Sequence, residues 1–227
     1  MIPLRDDNPS QSAPTVVRAL IALNVVAFLF ELSLGRGLNE FVFGFGVVPL
    51  RFAYAFTGDL PLAPAIGTAF SSMFLHGGWL HLLGNLWYLW IFGDNVEDRL
   101  GHWRFLLFYL AGGLVAAAVH IVFNLGSRVP TIGASGAIAA VLGAYAVLFP
   151  RARVVTLVPI FFFFQIIALP AMLVLALWFV IQFVNGWLGV GGEIAWWAHV
   201  GGFIAGAILV VPLRDKRVPL FDRGVVH

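Results

Sequence analysis

Along the chain, apolar positions gather into six long runs, near 17–34, 63–92, 105–125, 132–149, 154–184 and 193–213. The stretches between them hold most of the charge. A helix of about 20 consecutive apolar residues crosses the hydrocarbon layer of a bilayer, so each run predicts a membrane span. The second and fifth runs exceed a single crossing and predict an added interfacial or tilted segment. Pro170 predicts a kink within the fifth. Residues 35–62, "GRGLNEFVFGFGVVPLRFAYAFTGDLPL", are aromatic and apolar but broken by Gly and Pro, which predicts a loop lying in the membrane interface. The opening "MIPLRDDNPSQSAP" reads as a short flexible leader, without a signal-peptide cleavage pattern after it. The pattern therefore divides the chain into a leader (1–16), a membrane domain (17–213) and a short tail (214–227).

Six crossings place both termini on one side. That side then holds Arg5, Arg18, Arg99, Arg104, Arg151, Arg153, Arg214, Lys216, Arg217 and Arg223, against Arg36, Arg51 and Arg128 on the other. Basic residues accumulate on the cytoplasmic side of membrane proteins, so both termini are expected there. The short tails and the lack of a targeting leader point to a bacterial plasma (inner) membrane.

Composition agrees with the pattern. The chain is 61% hydrophobic and 11% charged, whereas soluble domains carry about 25% charged residues. The fold class expected is an all-α membrane protein with six transmembrane helices. Thirteen basic residues exceed eleven acidic ones, but they are scattered between apolar runs, so no nucleic-acid partner is expected. With no cysteine, disulfides, thiolate zinc sites and a cysteine nucleophile are excluded.

Polar side chains inside spans are costly and mark candidate sites. The second run contains His76, His81 and Asn85, the fourth opens with Ser135, and the sixth contains His199. These three runs cross in the same direction. At a rise of about 1.5 Å per residue, Ser135 and His199 both lie roughly 5–10 Å below the external edge. His81 and Asn85 are four apart and share a helix face, whereas His76 points elsewhere and is expected to brace the external loop or the helix top. Gly133, Gly136, Ala139, Ala140 and Gly143 face a Gly202–Gly206 pair of GxxxG spacing. Small faces let helix backbones approach closely, as a Ser135–His199 hydrogen bond requires. Taken singly, Ser135 also reads as a packing residue, and His199 as an interhelical hydrogen-bonding one.

Four motifs together carry a family resemblance. GASG at 133–136, the His-x4-His-x3-Asn series at 76–85, AHVGG at 198–202 and VEDRLG at 96–101 resemble the signatures of rhomboid intramembrane serine proteases. The resemblance covers spans 2 to 6, in order. It implies a six-helix bundle with a water-filled cavity open to the external side, Ser135 as nucleophile, His199 as base, and His81 and Asn85 helping to hold the oxyanion. Many members carry a tyrosine four residues after the serine, stacked on the histidine; Ala139 stands here. The family's Trp-Arg pair is missing from the external loop, "WR" occurring instead at 103–104.

A serine hydroxyl reacts once a base takes its proton. No carboxylate is placed to orient His199: Glu193 precedes it by six residues and Asp215 lies at the opposite end. The expectation is a Ser–His dyad whose imidazole is oriented by packing, against an aromatic ring. Asn85, His81 and the Ser135 N–H at a helix start are the candidate oxyanion donors. His76, Gly133, Gly136 and Gly202 are structural near the site. Glu97 and Arg99 are expected to pair or to cap the third span. His102, His120 and His227 have no constellation, and the lack of HExxH-like spacing predicts no metal or cofactor. The "FFFF" at 161–164 reads as lipid-facing bulk. The partners expected are the bilayer and single-span transmembrane protein substrates. The alternatives are a catalytically silent rhomboid-like binder of membrane segments and, lacking clear inverted repeats, a small transporter.

Overall fold

The structure, a computed structural model, describes residues 1–160, 163–190 and 194–215. Phe161, Phe162, Glu193, Lys216, Arg217, Arg223 and His227 lie outside them, so the expectations placed on those residues do too. Helices dominate. In chain order they are α1 (Thr15–Ser33), α2 (Leu38–Phe45), α3 (Pro49–Thr57), α4 (Leu62–Ser71), α5 (Trp79–Leu100), α6 (His102–Phe123), α7 (Ser135–Leu148), α8 (Ala171–Leu188) and α9 (Trp196–Leu213). Four of them, α1, α6, α8 and α9, are long and apolar enough to cross a membrane.

The centre is α7. Its 14 residues make a rod of only about 21 Å, shorter than the hydrocarbon layer. Every residue from Gly136 to Ala146 is buried, so this helix is apolar on all sides because protein surrounds it. Small residues set its distance to α9. A Cβ built on Gly206 would lie 1.9 Å from the Ala140 carbonyl oxygen, and one on Gly143 1.9 Å from that of Phe203. Any side chain at either place would push the two backbones apart.

Several expectations are corrected. The fold is mostly helical but not all-α: β1 (Ile2–Asp6), β2 (Arg153–Ile160) and β3 (Phe163–Pro170) form an antiparallel sheet in the order β1-β2-β3. The first half of the fifth apolar run is therefore a β-hairpin, with Val154 opposite Leu169 and Thr156 opposite Ile167. Only Ala171–Leu188 is helix. The segment "RVVTLVPI" and the isoleucines of β3 are β-formers, and hydropathy does not separate an apolar strand from an apolar helix. Pro170 ends a strand; it does not kink a helix.

Nor is the leader flexible where β1 forms. Trp87 Nε1 donates to the Pro3 carbonyl at 2.6 Å, Asn8 and Asn95 exchange hydrogen bonds, and the Ser12 N–H donates to Asp98 at 2.8 Å. The Tyr145 hydroxyl, near the end of α7, donates to Asp6.

The third correction concerns residues 35–62, which hold the short helices α2 and α3 in place of an irregular loop. The second apolar run breaks into α4, a 3-10 turn at Ser72–Phe74, and α5. Val47 and Thr131 bridge, tying the α2–α3 connection to the loop before α7.

Glu97 caps α1, not the third span. Its buried carboxylate accepts the N–H groups of Val16 and Val17 at 2.9 and 2.8 Å, which are first-turn donors without helical partners. Arg99 lies over the Phe149 ring, 5.1 Å from its centroid.

Burial pushes the Asp6 carboxyl up to about 7, with the Tyr145 hydrogen bond pulling the other way. A carboxyl whose folded value is raised favours the folded state while protonated; that contribution is full below the ordinary value of about 4 and is lost as pH rises through the folded one. Amide exchange of Leu4 and Arg5, corrected for intrinsic rates, is expected to be slower at about pH 5 than at about pH 8. Asp6→Asn should level that difference. Equal protection at both pH values in the wild type would contradict it.

Candidate active site

Ser135 opens α7 and His199 lies in the first turn of α9. The loop before Ser135 is held at two points. Thr131 exchanges backbone hydrogen bonds with Val47, and the Gly133 N–H donates to the Ser72 carbonyl at 2.8 Å. One residue beyond the serine, α7 meets α9 where a Cβ on Gly202 would stand 2.2 Å from the Gly136 oxygen. With the backbones this close, His199 Nε2 reaches Ser135 Oγ at 2.8 Å.

The imidazole's other nitrogen has a partner that the sequence reading missed. His199 Nδ1 lies 2.7 Å from Oε1 of Gln182, a buried amide on α8. The Trp178 and Trp196 rings stand 5.8 and 6.3 Å from the imidazole, tilted and edge-on. Aromatic rings thus do stand against the imidazole as expected, and a hydrogen bond to an amide adds a directional contact that was not expected. The only sequence signal was one polar residue within the apolar stretch "LWFVIQFV".

His81 and Asn85 on α5 face the same space as the pair. Together with Ser135, His199, Trp178 and Tyr88 they line a cavity of about 500 Å³. The Gly77 N–H donates to His81 Nδ1 at 3.3 Å, which leaves Nε2 to carry the proton of the neutral ring. Asn85 Nδ2 is buried and, among the described residues, has no hydrogen-bond partner. Gly133, at φ +126°, passes directly beneath both side chains: a Cβ there would lie 2.6 Å from His81 Nε2 and 3.7 Å from Asn85 Nδ2. A side chain at position 133 would be strained and would displace His81.

His76 is buried beside His81, with ring centroids 5.1 Å apart. Its backbone N–H donates to both carboxylate oxygens of Glu31 on α1, at 3.1 and 3.3 Å. Glu31 fixes the turn into α5 and so the starting point of the His81 face. An acid inside a span was its sequence signal.

His102 Nδ1 contacts Glu97. His120 Nε2 lies 2.8 Å from Thr131 Oγ1, bracing the loop before the serine. Asp215 is far from His199, its N–H meeting the Arg99 carbonyl.

Chemically, the cavity presents an alcohol with a base on one side and the N–H groups of Asn85 and His81 on the other. That combination suits addition to a carbonyl whose oxygen gains negative charge.

A family model described as Rhomboid domain matches residues 65–216. Among named relatives, presenilin-associated rhomboid-like protein A, mitochondrial, of Danio rerio is 33% identical over 138 residues, 60% of this chain and 34% of that protein. Rhomboid protease GluP of Bacillus subtilis is 36% identical over 132 residues, 58% of this chain and 24% of that protein. Rhomboid protein 1, mitochondrial, of Saccharomyces cerevisiae is 33% identical over 97 residues, 41% of this chain and 27% of that protein. The matches thus span about a quarter to a third of each relative's length. Mitochondrial and bacterial names both occur among them, so they lend the bacterial plasma membrane no support; a membrane protein is what they and the apolar helices share.

Removing the Glu31 carboxylate leaves the His76 N–H buried and unpaired. Glu31→Ala is expected to cost about 1–3 kcal/mol, read as a lower unfolding midpoint in detergent, with Glu31→Gln, which keeps an acceptor, falling between. Wild-type stability in Glu31→Ala would refute this role.

Proposed function

The chain belongs to the rhomboid family, and from that premise we propose that it is an intramembrane serine endopeptidase. The observation that carries the reading is the 2.8 Å contact of His199 Nε2 with Ser135 Oγ at the wall of a cavity that also holds His81 and Asn85. His199 takes the hydroxyl proton as Oγ bonds to the scissile carbonyl carbon. Negative charge moves to the carbonyl oxygen, which faces Asn85 Nδ2, His81 Nε2 and the Ser135 N–H. The imidazolium then protonates the departing amine, leaving an acyl-serine. A water molecule, deprotonated by the same imidazole, attacks the acyl carbon and releases the carboxylic acid and Ser135.

The geometry favours an endopeptidase acting on transmembrane segments near the external membrane edge. In this reading the helices α1, α5, α6, α7, α8 and α9 form the six-span bundle, α7 being too short to cross unaided. The positive-inside count supports termini on the cytoplasmic side, which would put the sheet beneath the bundle and the cavity opening opposite. The substrates are single-span proteins whose target segment unwinds locally, since a helical backbone engages the carbonyl that must be attacked.

Purified protein in liposomes is expected to cleave a single-span substrate and to take a fluorophosphonate label on Ser135. Ser135→Ala should abolish both while keeping the wild-type unfolding midpoint. Asn85→Ala should lower turnover by about 10²–10³-fold, the usual effect of losing one oxyanion donor. Cleavage that survives Ser135→Ala would end the proposal, and a wild type that neither cleaves nor labels would make the chain a membrane-segment binder.

A further inference from the structure

In a neutral imidazole one nitrogen donates and the other accepts, and a histidine acts as base toward a serine only when the nitrogen facing Oγ is the acceptor. Here that nitrogen is Nε2, at 2.8 Å, so the proton must sit on Nδ1. Packing against rings does not select between the two nitrogens. Trp178 and Trp196 wall the imidazole at 5.8 and 6.3 Å, but neither presents an acceptor in its ring plane. The Gln182 carbonyl does, at 2.7 Å from Nδ1.

The surroundings explain why the partner comes from α8. On α7 the residue one turn beyond the serine is Ala139, fully buried, its Cβ 3.1 Å from the place a Gly202 Cβ would take. A single methyl group at that place offers the imidazole neither an acceptor nor a stacked ring. The helix on the other flank of α9 is α8. Its residues Val180, Ile181, Phe183 and Val184 are exposed and apolar, whereas Gln182 between them is buried. A lone buried amide in a lipid-exposed helix points inward to a polar partner.

We infer that Gln182 is a positioning residue: its carbonyl accepts the Nδ1–H of His199, fixes the tautomer that leaves Nε2 free for the Ser135 proton, and continues to hold Nδ1–H when the ring becomes imidazolium. This rests on the reading of Ser135 and His199 as nucleophile and base. A neutral acceptor suits the site. A carboxylate in the same place would first have to be desolvated.

The test joins a spectroscopic readout to kinetics. In 15N-histidine-labelled wild-type protein in nanodiscs, the His199 signals, assigned by their loss in His199→Ala, are expected to show a protonated Nδ1 and an unprotonated Nε2. In Gln182→Met, equal in length but without the acceptor, protonation should spread to Nε2. Gln182→Glu, which restores an acceptor oxygen at the same reach, should return the proton to Nδ1. For cleavage of a single-span substrate, kcat of Gln182→Met should fall by about 10²-fold, the lower range of what a positioned base contributes, with KM nearly unchanged. A wild-type ring protonated on Nε2 would overturn the inference without any variant. So would a Gln182→Met protein whose ring and kcat match the wild type. If the wild type cleaves nothing, the protease reading fails, and the tautomer measurement still judges the contact.

Discussion

Everything at the site depends on one backbone contact, the near-touching of α7 and α9. In lipid there is no hydrophobic drive between helices, so close packing and interhelical hydrogen bonds must hold them together. Gly202 stands against the Gly136 carbonyl, Gly206 against Ala140 and Gly143 against Phe203. These three close approaches lie along the contact, as a small-residue seam on each helix produces. The contact starts one residue beyond Ser135. Its geometry carries the serine–imidazole distance with it: a methyl group added anywhere on the seam would separate the two side chains as well as the helices. Packing residues and chemistry-bearing residues are thus parts of one requirement, which is why Ser135 lies inside a run of small residues.

On the same face, the residue one turn beyond the serine is Ala139, whose single buried methyl group neither stacks on the imidazole nor offers it an acceptor. The orienting contact then comes from a third helix, α8, with a hydrogen bond of 2.7 Å in place of a stacked ring. Gln182 rides on a helix whose neighbouring side chains are exposed and apolar, so movement of α8 would change the partner of Nδ1 directly.

The legible parts of this molecule were those governed by local periodicity. The placement of α1, α6, α7 and α9 follows from apolar runs bounded by Pro, Gly and charge. The shared face of His81 and Asn85 follows from helical spacing. Hydropathy failed where it is blind: Arg153–Pro170 is as apolar as a span, yet its β-formers make a hairpin that pairs with Ile2–Asp6, about 150 residues away in sequence. No local signal announces that pairing, so the leader read as unstructured. Glu31, Glu97 and Gln182 were visible as polar residues in or beside apolar runs. Which backbone or ring group each would meet was a tertiary matter, because Val16 and Val17, His76 and His199 lie 17 to 81 residues from them.

Two of those partnerships are reciprocal. Glu97, near the end of α5, accepts the first N–H groups of α1, and Glu31, near the end of α1, accepts the N–H of His76 at the turn into α5. Each helix therefore satisfies an unpaired backbone donor of the other, at opposite ends of an antiparallel pair. An amide left without a partner in so apolar a setting is expensive, so the pair resists sliding in either direction. A slip that relieved one end would open the other. Sliding is the motion that would change the depth of His81 and Asn85 relative to Ser135, since α5 carries the first two and α7 the third. The two carboxylates lie outside the cavity, yet they set the height at which His81 and Asn85 meet Ser135.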